Sequence, residues 1–426
     1  MRRSRFLFSG FLVLALAGCA SSGSPAPSAF SSPTAPATSL PSQVSGLTAP
    51  PASTPPSTKP APPSVAADWQ PVADPAGAST AQLSKVIWTG SQFVAFGSLE
   101  SGANAFVESA DGITWHVQPG PAGGADVNGL AFSASGLVAV GSQGSDARSW
   151  FSLDGLSWSA APITTALKPD HGTTLRMNAV TAARSGFIAV GEEDTACEID
   201  CSSGRSVEAV VWSSTDGKTW KREPPSSSRS HAAMLAIVAG GPGFIAVGAA
   251  PDRITSSDVP EHGVVWTSVD GGSWSRVADA SLFHAPVGTD QTFGDAISDV
   301  ATNGTMIVAV GSVESQGDVI SGLIWRSTDG RAWQRATGED LLGGQLFGVS
   351  AVPGGFLATG PSGEDNCAGG VWASATGNDW RCAAHAGAFG EFGAYDAAAS
   401  PTITVVVGIA ASDAPLPAAI WTMAAH

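Results

Sequence analysis

Tyrosine is almost missing from this 426-residue chain, which has a single copy, Tyr395. Charge is scarce too, at 13% of residues, and basic charge scarcest, with 20 Lys and Arg against 36 Asp and Glu. A phosphate-binding surface needs a basic footprint, so a nucleic-acid partner is excluded. No apolar run approaches the roughly 20 residues that span a bilayer as a helix. Helical heptads and solenoid signatures are absent. So are the nucleophile elbow, the HExxH zinc motif, the P-loop and the dinucleotide fingerprint in any credible context. The seven His are scattered, with His171, His231, His262 and His284 falling in long loops. No cofactor is expected, and no catalytic set can be assembled from motifs.

Gly (51) and Trp (14) are abundant, a mixture that suits many short strands joined by tight turns. The N-terminus is built for export. Arg2, Arg3 and Arg5 precede a short apolar run over 6–17, the length of a signal-peptide core. That run ends Leu16-Ala17-Gly18-Cys19, which resembles the bacterial lipoprotein signal. The resemblance implies removal of 1–18, acylation of Cys19 and an extracytoplasmic, lipid-anchored location. Loss of 1–18 takes three basic and no acidic residues, leaving 17 against 36, a formal charge of −19. Residues 19–67 are nearly all Ser, Pro, Ala, Thr and Gly, with Lys59 the sole charge. Such a segment cannot bury enough apolar surface to offset its ordering entropy and is expected to be a disordered tether. The folded part is expected over 68–426, and to be monomeric.

Past the tether the chain repeats. One element is an apolar strand bounded by glycines, at 90–97, 136–141, 186–191, 243–248, 304–311 and 355–360, with a weaker copy at 403–408. Apolar on both faces, these read as buried central strands. Each of the first six is followed by S-x-D-G-x-x-W, at 109–115, 152–158, 214–220, 268–274 and 327–333. A sixth copy, 374–380, carries Thr376 in place of the Asp. Asp-Gly between strands predicts a hairpin with a type I′ turn, in which both central residues have positive φ. A further apolar stretch precedes each central strand, giving four strands per repeat. The last repeat lacks its fourth strand, and Trp69-Gln70-Pro71-Val72 lacks partners, so the N-terminal strand is expected to complete it. Four antiparallel strands per repeat is the arithmetic of a β-propeller. The prediction is all-β, with seven blades and six as the alternative.

The S-x-D-G-x-x-W units resemble the Asp-box (bacterial neuraminidase) repeat of sialidases, sortilin-type receptors and photosystem II assembly-factor-like propellers. The usual box has one more residue between Asp and Gly. The resemblance covers about 68–426. It implies that Asp111, Asp154, Asp216, Asp270 and Asp329 stabilise turns, and it implies nothing about a ligand. The sialidase catalytic set is not matched: the first repeat has no Arg, and Tyr395 lies in the last. The sequence therefore reads as a non-catalytic binding or scaffold module for a protein or glycan ligand of the cell envelope. A glycan-active hydrolase with carboxylates at the central funnel is the alternative, and an assembly factor for a membrane complex a third. Four Cys besides Cys19 allow three disulfide pairings, and proximity favours Cys197–Cys201 and Cys367–Cys382. The acidic stretch Glu192, Glu193, Asp194, Glu198 and Asp200 offers the hard oxygens that Ca²⁺ takes; its other reading is a solvated acidic surface. The long loops at 251–262, 281–295 and 312–321 are further functional candidates.

Overall fold

The computed structural model describes residues 69–424, apart from 73–79, 100–102, 121–124, 171, 196–206, 252–260, 279, 284–291, 316–319, 338–343, 362–366, 368, 384–391 and 411–419. The signal segment, Cys19, the tether, Cys197, Cys201, Glu198 and Asp200 lie outside the described residues. The described residues are all-β, with short 3-10 turns at Thr165–Leu167 and Ala280–Phe283.

The strands form antiparallel units of four, each ordered as in the chain. Unit 2 runs Ala125–Ser133, Gly136–Gln143, Asp146–Ser152 and Ser159–Ala160. Units 2 to 6 are separate sheets. Units 1 and 7 share one sheet, joined by the single pair Gln82 and Ile409. The first strand of each unit is innermost. These inner strands are Thr80–Trp88, Ala125–Ser133, Thr173–Ala183, Ala233–Gly240, Thr292–Thr302, Gly348–Val352 and Phe392–Ala399. Each touches the next, and the last touches the first, so the inner strands close a circle and the fold is a β-propeller.

The final unit draws on both ends of the folded part. Gln70 and Pro71 pair with Thr422 and Trp421, and the Val72 amide donates to the Ile420 carbonyl at 2.9 Å. Trp69 is buried, and its Nε1 donates to the Ala383 carbonyl of unit 6. The expected N-terminal closure is thus present.

The core lies between units rather than within them. The glycine-bounded strands are second in each unit and buried on both faces, as in Gly136–Gln143. One face packs on the preceding unit and the other on the following one. The cluster of Val138, Val140 and Phe151 from unit 2 with Met177, Val210 and Trp212 from unit 3 is typical. Three third-strand tryptophans, Trp212, Trp266 and Trp325, are fully buried and find acceptors in the connection entering their unit. Trp212 Nε1 donates to Ala166, Trp266 to Ser228 and Trp325 to Leu282. This satisfies the polar end of a large apolar group. Cys367 and Cys382 form a disulfide in unit 6.

The motif loops differ from the expected two-residue turn. Gly112, Gly155, Gly217, Gly271 and Gly330 have φ between 71° and 81°, but the preceding Asp residues do not have positive φ. The connection is longer, and the Asp side chain organises it. In unit 1 the Asp111 Oδ1 accepts the amides of Ile113 and Thr114, at 2.8 and 2.7 Å. Ser109 Oγ donates to Asp111 and accepts the Gly112 amide, and Trp115 Nε1 donates to the Gly112 carbonyl. A carboxylate that gathers two amides has no need of the tight I′ geometry. Trp220 departs from this scheme: its buried Nε1 has no acceptor among the described residues. In the degenerate copy Thr376 supplies no carboxylate, and the buried Ser374 hydroxyl has no partner among the described residues. The motif Gly is required twice over: for its φ, and because the preceding unit lies against it. A Cβ on Gly217 would come within 2.4 Å of Val138.

Candidate functional site in the central channel

The inner strands of units 1, 2, 3, 4, 5 and 7 share an irregularity. Pairing with the second strand skips one residue, which is Ser84, Asn128, Asn178, Leu235, Ser298 or Tyr395. Each skip is a β-bulge, a device that re-aims side chains. Opposite it stands the glycine that closes the second strand. A Cβ on Gly141 would lie 1.9 Å from the Asp126 carbonyl oxygen, and one on Gly97 1.8 Å from that of Gln82. The recurrent second glycine is therefore the imprint of the bulge. In unit 6 the corresponding residues are Phe347 and Gly348, since a Cβ on Gly360 would meet the Gln345 carbonyl in the same way.

The skipped side chains stitch neighbouring inner strands together. Asn128 Nδ2 donates to the Met177 carbonyl and Asn178 Nδ2 to that of Met234, both at 3.0 Å. Ser298 Oγ donates to the Leu346 carbonyl at 2.9 Å.

The residue after each skip occupies an equivalent place in every unit. Around the circle these are Lys85, Gly129, Ala179, Ala236, Asp299, Gly348 and Asp396. Four are Gly or Ala and three are charged. The charges gather on the side formed by units 5, 7 and 1. Asp396 Oδ2 accepts the Val86 amide of unit 1 at 3.0 Å, and its Oδ1 accepts the Ala397 amide and a long contact from Ser350. Asp299 repeats this one unit earlier: Oδ2 accepts the Val349 amide of unit 6 and Oδ1 the Val300 amide. Each carboxylate thus ties its own inner strand to the next.

Burial pushes the Asp396 carboxyl up to about 6, against the attraction of Lys85 and with the repulsion of Asp299. Asp299 is raised for the same first reason, opposed by Lys85 and its two amides. Burial opposes the charge on Lys85, but Asp396 and Asp299 outweigh it and hold the ammonium above its ordinary value. Asp396 is buried, whereas Lys85 and Asp299 keep part of their surface accessible. No hydrogen bond or ion-pair contact engages the Lys85 ammonium among the described residues. Beside them Tyr395 and Phe347 stack, centroids 5.4 Å apart and planes 6° from parallel. Burial also raises the Tyr395 hydroxyl.

The residues singled out in the sequence fare differently. Asp111, Asp154, Asp216, Asp270 and Asp329 each sit in their own loop with Oδ1 holding two amides, and are not brought together. Of the acidic stretch, Glu192 pairs with Arg176 at 3.5 Å and Glu193 with Arg222. Glu193 also accepts the Asp170 amide and the Thr173 hydroxyl. Asp194 is buried. Among the described residues no group of His, Cys, Asp and Glu is arranged to hold a metal ion. Of the long loops, residues 196–206, 252–260 and 316–319, each between a second and a third strand, and 284–291, between units 4 and 5, lie outside the described residues. The strands that flank them meet these breaks at the end at which the inner strands begin. The motif loops, and the point at which the chain enters at Trp69, lie at the opposite end.

Lys85 and Asp299 were not legible as site residues, and Asp396 only as the neighbour of Tyr395. A signal for all three does exist. Each lies twelve residues before the glycine that closes its second strand: Gly97, Gly311 and Gly408.

No family model and no curated protein matches the chain. Among solved structures, the β-propeller domain of the Trilobed protease from Pyrococcus furiosus is 11% identical, covering 81% of this chain and 96% of that one, with a TM-score of 0.44. The SapL1 lectin in complex with α-methyl fucoside is 13% identical, covering 66% and 89%, with a TM-score of 0.38. The six-bladed fungal lectin from Aleuria aurantia is 12% identical, covering 71% and 92%, also at 0.38. No residue of a site is carried over at these identities.

Proposed function

We propose that this chain is a seven-bladed propeller of the Asp-box kind, held outside the cell membrane by acylated Cys19 and the 19–67 tether, and that it is a non-catalytic binding module of the envelope. Its ligand is a glycan or protein of that compartment. The observation that carries this reading is the use made of the carboxylates. Asp299 and Asp396 each accept backbone amides on both oxygens, and the motif aspartates are spent within their own loops. The acidic groups of the repeat and of the channel wall thus serve first as construction. The seven inner strands, each with its equivalent position, support seven blades over six.

The test incubates the full chain in detergent with a glycan array and with chromogenic glycosides, alongside co-purification from the envelope. Binding without turnover is the expected result, and sustained turnover would sink the reading. One observation favours a hydrolase instead: Asp396, raised to about 6, shares a channel with Asp299 and Lys85, an arrangement suited to proton transfer. Turnover abolished by Asp396→Asn would establish that alternative. A stable membrane complex recovered by co-purification would favour the assembly-factor reading.

A further inference from the structure

We infer that the channel side formed by units 5, 6, 7 and 1 is a binding site for a neutral, hydroxyl-rich ligand such as a sugar, anchored by Lys85 together with Asp299 and Asp396. The inference rests on the binding-module reading and gives it a place and a ligand class.

Two features of the channel lead there. The first is the ammonium. Lys85 is attracted by both carboxylates but makes no hydrogen bond and no ion-pair contact within 4.0 Å among the described residues. The ammonium therefore lies more than 4.0 Å from the oxygens of either carboxylate. A hydroxyl fits such a gap, because it accepts from the ammonium and donates to a carboxylate at once. Both oxygens of Asp299 and the Oδ2 of Asp396 each take one amide and keep a second lone pair for such a donor. An anion would gain Lys85 but meet two carboxylates. A cation would gain the carboxylates but meet the ammonium. The trio carries at most one net negative charge, which selects against both.

The second feature is the stacked pair of Phe347 and Tyr395, half-buried beside Gly348 and Asp396. An aromatic face next to polar anchors suits the C–H surface of a sugar ring, which is apolar on its face and polar at its edge.

The experiment is calorimetric titration of the full chain in detergent with glucose, galactose, N-acetylglucosamine, fucose and arabinose, with inorganic phosphate and methylammonium as anionic and cationic probes. At least one sugar is expected to bind. Lys85→Met and Asp299→Asn should each weaken it tenfold or more, while Lys218→Ala, on a motif loop, should leave it unchanged. Phe347→Ala keeps the charged trio and should also weaken binding, which tests the site if a trio variant fails to fold. Sugar binding untouched by these substitutions would overturn the site but leave the binding module standing. Binding of phosphate or methylammonium alone, or of no probe, would overturn the ligand class. Release of product from a chromogenic glycoside would overturn the non-catalytic reading itself, independently of where the sugar sits.

Discussion

Asp270 holds the amides of Ser273 and Gly272 on one oxygen while its surroundings stay largely solvated. Those two amides, slightly opposed by burial, keep its carboxyl below the ordinary carboxylate range. The stability it contributes is present above the unfolded value and is lost as pH falls through the lower folded one. Asp270→Ala should cost about 1 kcal/mol near neutrality, the usual net worth of a hydrogen bond. That cost should fade in acid, as denaturant midpoints at pH 7 and pH 3 would show. Asp396 runs the other way. Its folded value of about 6 lies above the unfolded carboxyl near 4. Its contribution is therefore complete below about pH 4 and is lost as pH rises through 6. Asp396→Asn keeps an acceptor for the Val86 amide and removes that decline. Relative to the parent, the variant should gain on the order of 2 kcal/mol on going from pH 4 to pH 7, read by denaturation at the two pH values. A loss of stability at pH 7 would show that the attraction to Lys85 dominates instead.

At the scale of the element, the second strand and its bulged partner form the repeating unit of construction. Gly141→Ala places a methyl group against the Asp126 carbonyl, which is backbone and cannot rotate away. The change should cost about 3 kcal/mol, the upper end for overpacking, measured by chemical unfolding. The glycine-bounded strands and the tryptophan loops were readable in advance because their geometry forces residue type: glycine where backbones collide, Asp where amides converge. The motif loop was misread as a tight turn because Asp-Gly carries that signal, while the pair of amides that decides the geometry leaves no mark of its own. The channel trio escaped for a related reason. Position equivalence in the inner strand is set by a register shift, and the residues filling it have nothing in common: Lys, Gly, Ala or Asp.

For the whole molecule, what matters is how the circle is closed. Unit 7 takes its outer strand from Gln70 and Pro71, so its integrity depends on a segment more than 300 residues away in sequence. Removing residues up to 67 should leave thermal stability unchanged. Removing them up to 72 strips out Trp69 and Val72, both buried, and should cost at least the 3–5 kcal/mol typical of deleting a buried tryptophan side chain. A scanning-calorimetry comparison of the two truncations would decide it. The Cys367–Cys382 bridge closes a loop of separation 15 in unit 6, and in the chain-entropy account it adds about 3 kcal/mol. Reductant should lower the unfolding midpoint accordingly.

That closure also sets a timetable. The strand that seals the circle precedes its partner, Ile420–Ala424, by more than 300 residues, so it must wait for that segment before it can pair. Until then unit 7 has neither of its outer strands, and units 1 and 6 each present an unsealed apolar flank. The seam at Gln70 and Thr422 thus makes completion of the domain a late event in folding, and a chain stopped short of Ile420 would be left open and open to proteolysis.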